Sequence, residues 1–183
     1  MSDQEHISSE QLMQALAGGD LDAFDQIVLR HQKSAWAIAC RFLSDRHEAE
    51  DVVQDAFLRL LEAAGRYQPT CSFKTYFYQI ISRLCLDRAK KKRPQHLDTI
   101  PDVPDSGPDA TSETERRQNA EAVRAALAVL PPQQRLAIVL RYYEGLSYQD
   151  IASALETTPK AVERLLARGR DRLQAILKTW ENF

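Results

Sequence analysis

The chain has 183 residues, 44% of them hydrophobic and 27% charged, with a net charge of −2. That composition supplies apolar cores for one domain or two small ones. No apolar run reaches the ~18 residues that a membrane span needs, and the opening MSDQEHISSEQ is acidic and polar, so neither a secretion signal nor membrane insertion is expected, and the expected location is cytoplasmic.

In chain order the pattern is helical, with no alternating strand pattern and no repeat. Residues 9–17 read as a short helix ended by Gly18-Gly19. Residues 21–43 carry Phe24, Ile27, Val28, His31, Ala35, Ile38 and Phe42 at helical spacing. Residues 48–64 place Val52, Val53, Ala56, Phe57, Leu60 and Leu61 on one face. A loop over 65–71, holding Pro69, leads to Ser72, an N-cap residue. The helix after it runs to about residue 92 with Phe73, Phe77, Ile80, Ile81 and Leu84 inward. Residues 94–118 hold four prolines, one glycine, two basic and six acidic side chains. Such a segment buries too little apolar surface to order itself and reads as a flexible acidic linker. An Ala-rich helix then runs from near Asn119 to Leu130, where Pro131-Pro132 breaks it. Pro132 suits the start of the next helix, over 133–143, and Gly145 suits a left-handed cap at its end. The expected fold is all-α, with two small helical domains (1–93 and 119–183) joined by the linker 94–118.

The stretch SYQDIASALETTPKAVERLLARGRDRL, residues 147–173, reads as a helix-turn-helix. Ser147 and Asp150 have capping-box spacing, and Ile151, Ala152 and Leu155 mark one apolar face. Thr158 and Pro159 open a second helix that buries Val162, Leu165 or Leu166, Gly169 and Leu173. Lys160, Arg164, Arg168, Arg170 and Arg172 are left to project outward, which is what insertion into a DNA major groove requires. Glu156 stands where many such motifs place a turn glycine.

Cys40, Cys71 and Cys85 are odd in number and widely spaced, and the four histidines are scattered, so neither a zinc site nor a disulfide framework is expected. Cys40 and Cys85 read as small buried hydrophobes; Cys71 lies in a loop, where a redox role rests on that one residue. No nucleophile–base set, glycine-rich phosphate loop or metal cluster is present, so no enzyme and no cofactor is expected.

Two further constellations bear on function. Asp51, Gln54, Asp55, Leu58 and Glu62 recur at three- and four-residue spacing beside the apolar stripe of their helix. From spacing alone this is either a solvated acidic face or a docking surface for a basic partner. From Arg66 to Arg93, aromatic and basic residues interleave: Arg66, Tyr67, Phe73, Lys74, Tyr76, Phe77, Tyr78, Arg83, Arg88 and Lys90-Lys91-Lys92-Arg93. Single-stranded nucleic acid is held by such a mixture, bases stacking on rings and cations following the backbone. Phe73 and Phe77 belong to the core, whereas Tyr76 cannot share their face. The net charge of −2 predicts weak binding to free duplex, because phosphate neutralisation dominates non-specific affinity.

The runs DAFDQIVLRHQKSAWAIACRFLSDRHEAEDVVQDAFLRLL and CSFKTYFYQIISRLCLDRAKKKR resemble region 2 of a bacterial sigma factor. LPPQQRLAIVLRYYEGLSYQDIASAL with AVERLLARGRDRL resembles region 4. With no room for further domains between them, the chain resembles the extracytoplasmic-function group of the sigma-70 family. The resemblance implies a promoter-specificity subunit that binds core RNA polymerase and promoter DNA. It places Asp51, Gln54 and Asp55 on the β′ clamp helices, which overturns the solvated-face reading, and region 4 on the β flap. It implies −10 contacts from Arg66, Tyr67, Lys74, Tyr76, Arg83, Arg88, Lys90 and Lys91, and −35 contacts from Lys160, Glu163, Arg164, Ala167, Arg168 and Arg170. Tyr76 stands where the family usually has tryptophan, Arg83 where this group often has asparagine, and Glu163 where a basic residue is common. An anti-sigma factor covering both regions is a further implied partner. The acidic linker would then occupy a basic path in the polymerase by charge mimicry through Asp98, Asp102, Asp105 and Asp109. Other readings of the residues are a helix-turn-helix repressor binding a palindrome as a homodimer, a sigma-like decoy for an inhibitor, and a nucleic-acid-processing enzyme.

Overall fold

The computed structural model describes residues 7–91 and 113–181. Eight α-helices lie among them: α1 Ser9–Ala17, α2 Leu21–Leu43, α3 Arg46–Ala63, α4 Phe73–Lys91, α5 Glu113–Ala128, α6 Pro132–Tyr142, α7 Tyr148–Ala154 and α8 Pro159–Glu181. A 3-10 turn, Ala64–Arg66, follows α3. The fold is all-α, and among the described residues no helix is long and apolar enough to cross a membrane.

Local chemistry sets most of the boundaries. Ser8 and Gln11 form a reciprocal capping box on α1: the Gln11 amide donates to Ser8 Oγ at 3.2 Å, and the Ser8 amide to Gln11 Oε1 at 2.7 Å. Asp20 caps α2 by accepting from the amides of Asp22 and Ala23. Helix α3 begins at Arg46, two residues before the expected start, because Asp45 accepts the Glu48 amide at 3.1 Å. Helix α5 is helical from Glu113, inside the expected linker; no proline or glycine follows Pro108 there, and Glu and Arg are good helix formers. The rest of the expected linker, 94–112, lies outside the described residues.

The first unit, α1 to α4, is built on stacked rings. Phe73 and Phe77 lie 5.8 Å apart, Phe57 packs 4.9 Å from Phe77, and Phe24 meets Phe57 edge-on at 6.3 Å. His31 joins them, its ring 4.7 Å from Phe73 and its Nε2 2.8 Å from Ser9 Oγ. At the start of α4 the Phe73 amide donates to Glu10 Oε1 of α1 at 2.7 Å, and Ser72 Oγ accepts from the Thr75 amide at 3.2 Å. That amide hydrogen bond holds the Glu10 carboxyl below its ordinary range.

The second unit, α5 to α8, closes around Leu127, Leu136, Val139, Leu140, Ile151, Val162 and Leu166, all buried. The sequence left Leu165 and Leu166 as alternatives; Leu166 is buried and Leu165 only half-buried. Gly169 lets α8 approach α6, since a Cβ there would stand 3.1 Å from Ile138 Cγ1. Gly145 turns the chain after α6 with φ +69°, and Leu146 then donates to the Leu140 carbonyl at 3.1 Å. In the helix-turn-helix corner Glu156 takes φ +51°, a left-handed conformation that costs a non-glycine residue roughly 1 kcal/mol.

The two units are not separate bodies among the described residues. One continuous cluster of buried side chains runs through both. The half-buried Arg135 joins them: Nη1 donates to the Phe42 carbonyl at the end of α2 at 2.6 Å, and Nη2 to carbonyls of Ala128 and Leu130. Nearby the Arg41 guanidinium lies 4.3 Å over the Tyr143 ring.

Burial among the rings pushes His31 below its ordinary value of 6.5, with Arg30 and Lys74 adding to the shift and Glu10 opposing it. Its proton binds more readily in the unfolded chain, so stability is lost as pH falls through 6.5 and below. The urea midpoint is expected to drop between pH 7.5 and 5.5 in the wild type, and His31→Gln is expected to flatten that drop.

Candidate nucleic-acid and polymerase interfaces

Helix α3 presents Asp51, Gln54, Leu58 and Glu62 to solvent, with Asp55 half-buried beside them. Its other side buries Ala49, Val52, Val53, Ala56, Phe57 and Leu60. The carboxylates meet one cation. Arg88 of α4 lies 3.7 Å from Glu48 Oε2, 3.5 Å from Asp51 Oδ2 and 3.2 Å from Asp55 Oδ2, where Nη2 also donates a hydrogen bond. Three carboxylates around one guanidinium leave an excess of negative charge, and Asp51 remains 62% exposed. The face suits a basic partner.

The residues proposed from sequence for the −10 element do not form one surface. Arg66 is exposed at the end of the 3-10 turn, and the half-buried rings of Tyr67 and Tyr76 pair at 5.1 Å. Burial raises both phenols above their ordinary value. At 100° per residue, Tyr76, Arg83 and Lys90 fall on one line of α4, whereas Arg88 falls about 140° away, on the side facing α3. Arg88 is therefore spoken for by the acidic face. Lys90 lies 3.4 Å from Asp87, and Lys91 is exposed. Lys74 donates to the Glu144 carbonyl at 3.1 Å, and Arg83 pairs with Glu156, both in the second unit.

The −35 set holds together better. On the same count Lys160, Glu163, Arg164, Ala167, Arg168 and Arg170 all fall within about 160° of α8. Val162, Leu166 and Gly169 are buried on the opposite side. Ala167 is half-buried and the other five are exposed. Thr158 Oγ1 accepts from the Ala161 amide at 3.2 Å and Pro159 opens the helix, so this face starts at a capped end. Arg170 reaches back to the Tyr142 hydroxyl at 3.4 Å.

Among the described residues no cluster of side chains could hold a metal ion. Cys40 and Cys85 are buried, and burial raises both thiols, Cys85 to about 12.

Comparison with known proteins places this arrangement. The family model described as Sigma-70 region 2 matches residues 27–95, and that described as Sigma-70, region 4 matches residues 120–173. The ECF RNA polymerase sigma factor SigM of Mycobacterium tuberculosis is 31% identical over 170 residues, which cover 93% of this chain and 85% of the relative. The chain belongs to the extracytoplasmic-function (ECF) sigma factors. The RNA polymerase sigma-H factor of Pseudomonas aeruginosa is 29% identical over 92% of this chain and 93% of its own. Among solved structures, that of CnrH in complex with the cytosolic domain of CnrY superposes with a TM-score of 0.70 at 27% identity, covering 92% of this chain and 96% of that one. As a sigma factor the protein serves transcription initiation and is not an enzyme.

Sequence reasoning missed the residues that join regions 2 and 4. Thr75 is buried and donates to Asp150 Oδ1 at 3.0 Å, and the buried Tyr78 donates to Glu144 Oε2 at 2.6 Å. Burial, then that hydrogen bond, raises the Tyr78 hydroxyl well above its ordinary range. Asp150 reads in sequence only as a cap for α7; Ser147 Oγ does donate to it, at 2.5 Å, and holds its carboxyl below the ordinary range. The one sequence signal was the pair of unusual residues Arg83 and Glu156, which meet each other.

Removing the shared cation tests the Arg88 cluster. Arg88→Gln is expected to cost about 1 kcal/mol in urea unfolding at low salt, because Glu48, Asp51 and Asp55 then repel one another unopposed. That cost should shrink in 1 M NaCl, where the repulsion is screened.

Proposed function

We propose that this sigma factor grips the β′ clamp helices of core RNA polymerase through Asp51, Gln54 and Asp55, and reads a −10 and a −35 element from two separate surfaces. The observation that carries the reading is the division of charge: an exposed carboxylate face on α3 and an exposed cationic face on α8, in the two regions matched to the family. Around the −10 element, Tyr67, Tyr76 and Arg66 offer stacking and phosphate contact at one end of α4, with Arg83 and Lys90 on the line of Tyr76. Lys74 and Lys91 add charge alongside. Arg88 acts through the α3 carboxylates until the polymerase takes them. On α8, Arg164 and Arg168 face base edges and phosphates, Lys160 and Arg170 flank them, and Glu163 accepts from a cytosine amine beside the small Ala167.

Region 4 also offers an open groove of about 620 Å³ between α5, α6 and α8, lined by Val123, Leu127, Ile138, Tyr142, Leu173 and Leu177. It fits an apolar helix, and in this reading the β flap takes it. Neither DNA surface is strongly basic, and the core polymerase supplies the affinity by holding both at once. An anti-sigma factor is the corresponding inhibitor; the similar CnrH is likewise bound by another protein, the cytosolic domain of CnrY. The work is done in the cytoplasm, where the polymerase is.

Transcription by purified core polymerase on a genomic fragment library, with and without the protein, tests the whole reading. Discrete transcripts are expected only when both are present, and their aligned starts give the two elements. Asp51→Ala with Gln54→Ala is expected to weaken co-purification with the polymerase while region 4 stays folded. Arg168→Ala is expected to lower transcription roughly tenfold on promoters that carry the −35 element and to leave core binding intact; equal loss on a promoter without that element contradicts the assignment.

A further inference from the structure

Where α4 meets the stretch from Glu144 to Glu156, the seam between regions 2 and 4 has a one-way chemistry. There every donor lies on α4 and every acceptor on that stretch. Lys74 Nζ donates to the Glu144 carbonyl at 3.1 Å, and Tyr78 Oη to Glu144 Oε2 at 2.6 Å. Thr75 Oγ1 donates to Asp150 Oδ1 at 3.0 Å. Gln79 Nε2 donates to Glu156 Oε1 at 3.0 Å, and the Arg83 guanidinium pairs with the same carboxylate. Region 4 thus sets three carboxylates, Glu144, Asp150 and Glu156, along a row of hydroxyl, amide and cationic donors. A nucleic-acid strand would offer that row the same thing: anionic oxygens at intervals.

Glu156 carries a second mark. It stands in the helix-turn-helix corner at φ +51°, a conformation glycine takes freely and glutamate does not. A non-glycine residue held in a left-handed turn points to a use for its side chain, and here the side chain reaches Gln79 and Arg83. Two of the positions where the sequence departs from the expected patterns, Arg83 and Glu156, are therefore two halves of one contact. Arg135 and Arg41, bonded across the units at Phe42 and Tyr143, keep the row in register from the far side.

We propose that Glu144, Asp150 and Glu156 are an intramolecular substitute for nucleic acid, occupying the donor row of α4 so that the free chain is closed and its −10 surface is shielded until polymerase and promoter pull the regions apart. The inference rests on the assignment of α4 to the −10 element. The exposed Arg83–Glu156 pair is weak by itself, which suits a latch that must open; the buried Thr75 and Tyr78 give it geometry.

The test uses the full chain with Cys71→Ser and spin labels at Arg59→Cys on α3 and Asp171→Cys on α8, the buried Cys40 and Cys85 left in place. Both label positions are exposed. In the absence of polymerase, one narrow interlabel distance is expected. Glu144→Ala with Glu156→Gly should broaden it toward longer distances and tighten binding of a fluorescent single-stranded oligodeoxynucleotide of mixed sequence roughly tenfold. Glycine suits the φ of position 156, so this variant keeps its corner. Reversing one charge, Glu156→Arg, should open the chain, and adding Arg83→Glu should close it again. A broad distribution in the wild type, or a narrow one in every variant, overturns the latch. Opening without tighter oligonucleotide binding overturns the substitution for nucleic acid. Failure of the wild type to yield transcripts with core polymerase is separate from these outcomes and strikes the reading of α4 itself.

Discussion

Helix α4 has to satisfy three neighbours with nineteen residues, and most of the molecule follows from how it does so. Phe73, Phe77, Ile81, Leu84 and Cys85 bury one side of it against α2 and α3. At about 25 cal/mol for each Å² removed from water, such rings dominate over any polar contact nearby. That burial fixes the rotation of the helix about its axis. Once the rotation is fixed, Arg88 can only face α3, Tyr76 can only face Tyr67, and the row from Thr75 to Arg83 can only face region 4. The polar contacts choose partners within an orientation that the apolar ones impose.

Charge is arranged on this frame by position and not by amount. The sum over the chain is −2, yet α3 and α8 present opposite signs to solvent. Between them, two guanidiniums of α4 each face carboxylates: Arg88 those of its own region, Arg83 that of the other. The same helix therefore touches the surface for the polymerase and the surface of region 4. A partner drawing on either set of carboxylates changes what α4 has free.

Much of the fold was legible because its signals are local. Ser147 sits next to α7, which it caps, and Gly18-Gly19 directly follows α1, which it ends. The face of α8 was legible for a similar reason, since the spacing of leucine and arginine along it fixes it without reference to any other helix. Asp45 was an equally local cap that the apolar periodicity concealed, because the stripe of α3 begins only at Ala49. The placement of Arg88 was not legible. Its spacing fits a basic surface as well as a bridge to α3, and only the packing of Phe77 and Leu84 decides between them. The seam lay further out of reach: Thr75 with Asp150 and Tyr78 with Glu144 are separated by 75 and 66 residues, and no periodicity connects them.

Glu10 shows what such separations mean for a chain made from one end. Its carboxylate accepts the amide of Phe73, 63 residues later, and Leu12, Met13 and Leu16 beside it are buried in the same unit. Helix α1 thus has one polar partner among residues made near the end of this unit, while α2, made directly after it, supplies His31 for Ser9 and Arg30 for the Ile7 carbonyl. Until Phe73 has cleared the exit tunnel, α1 has its capping box and its packing against α2 to hold it, since a nine-residue helix is too short to persist alone in water. Region 2 accordingly completes its packing only when the start of α4 has been made.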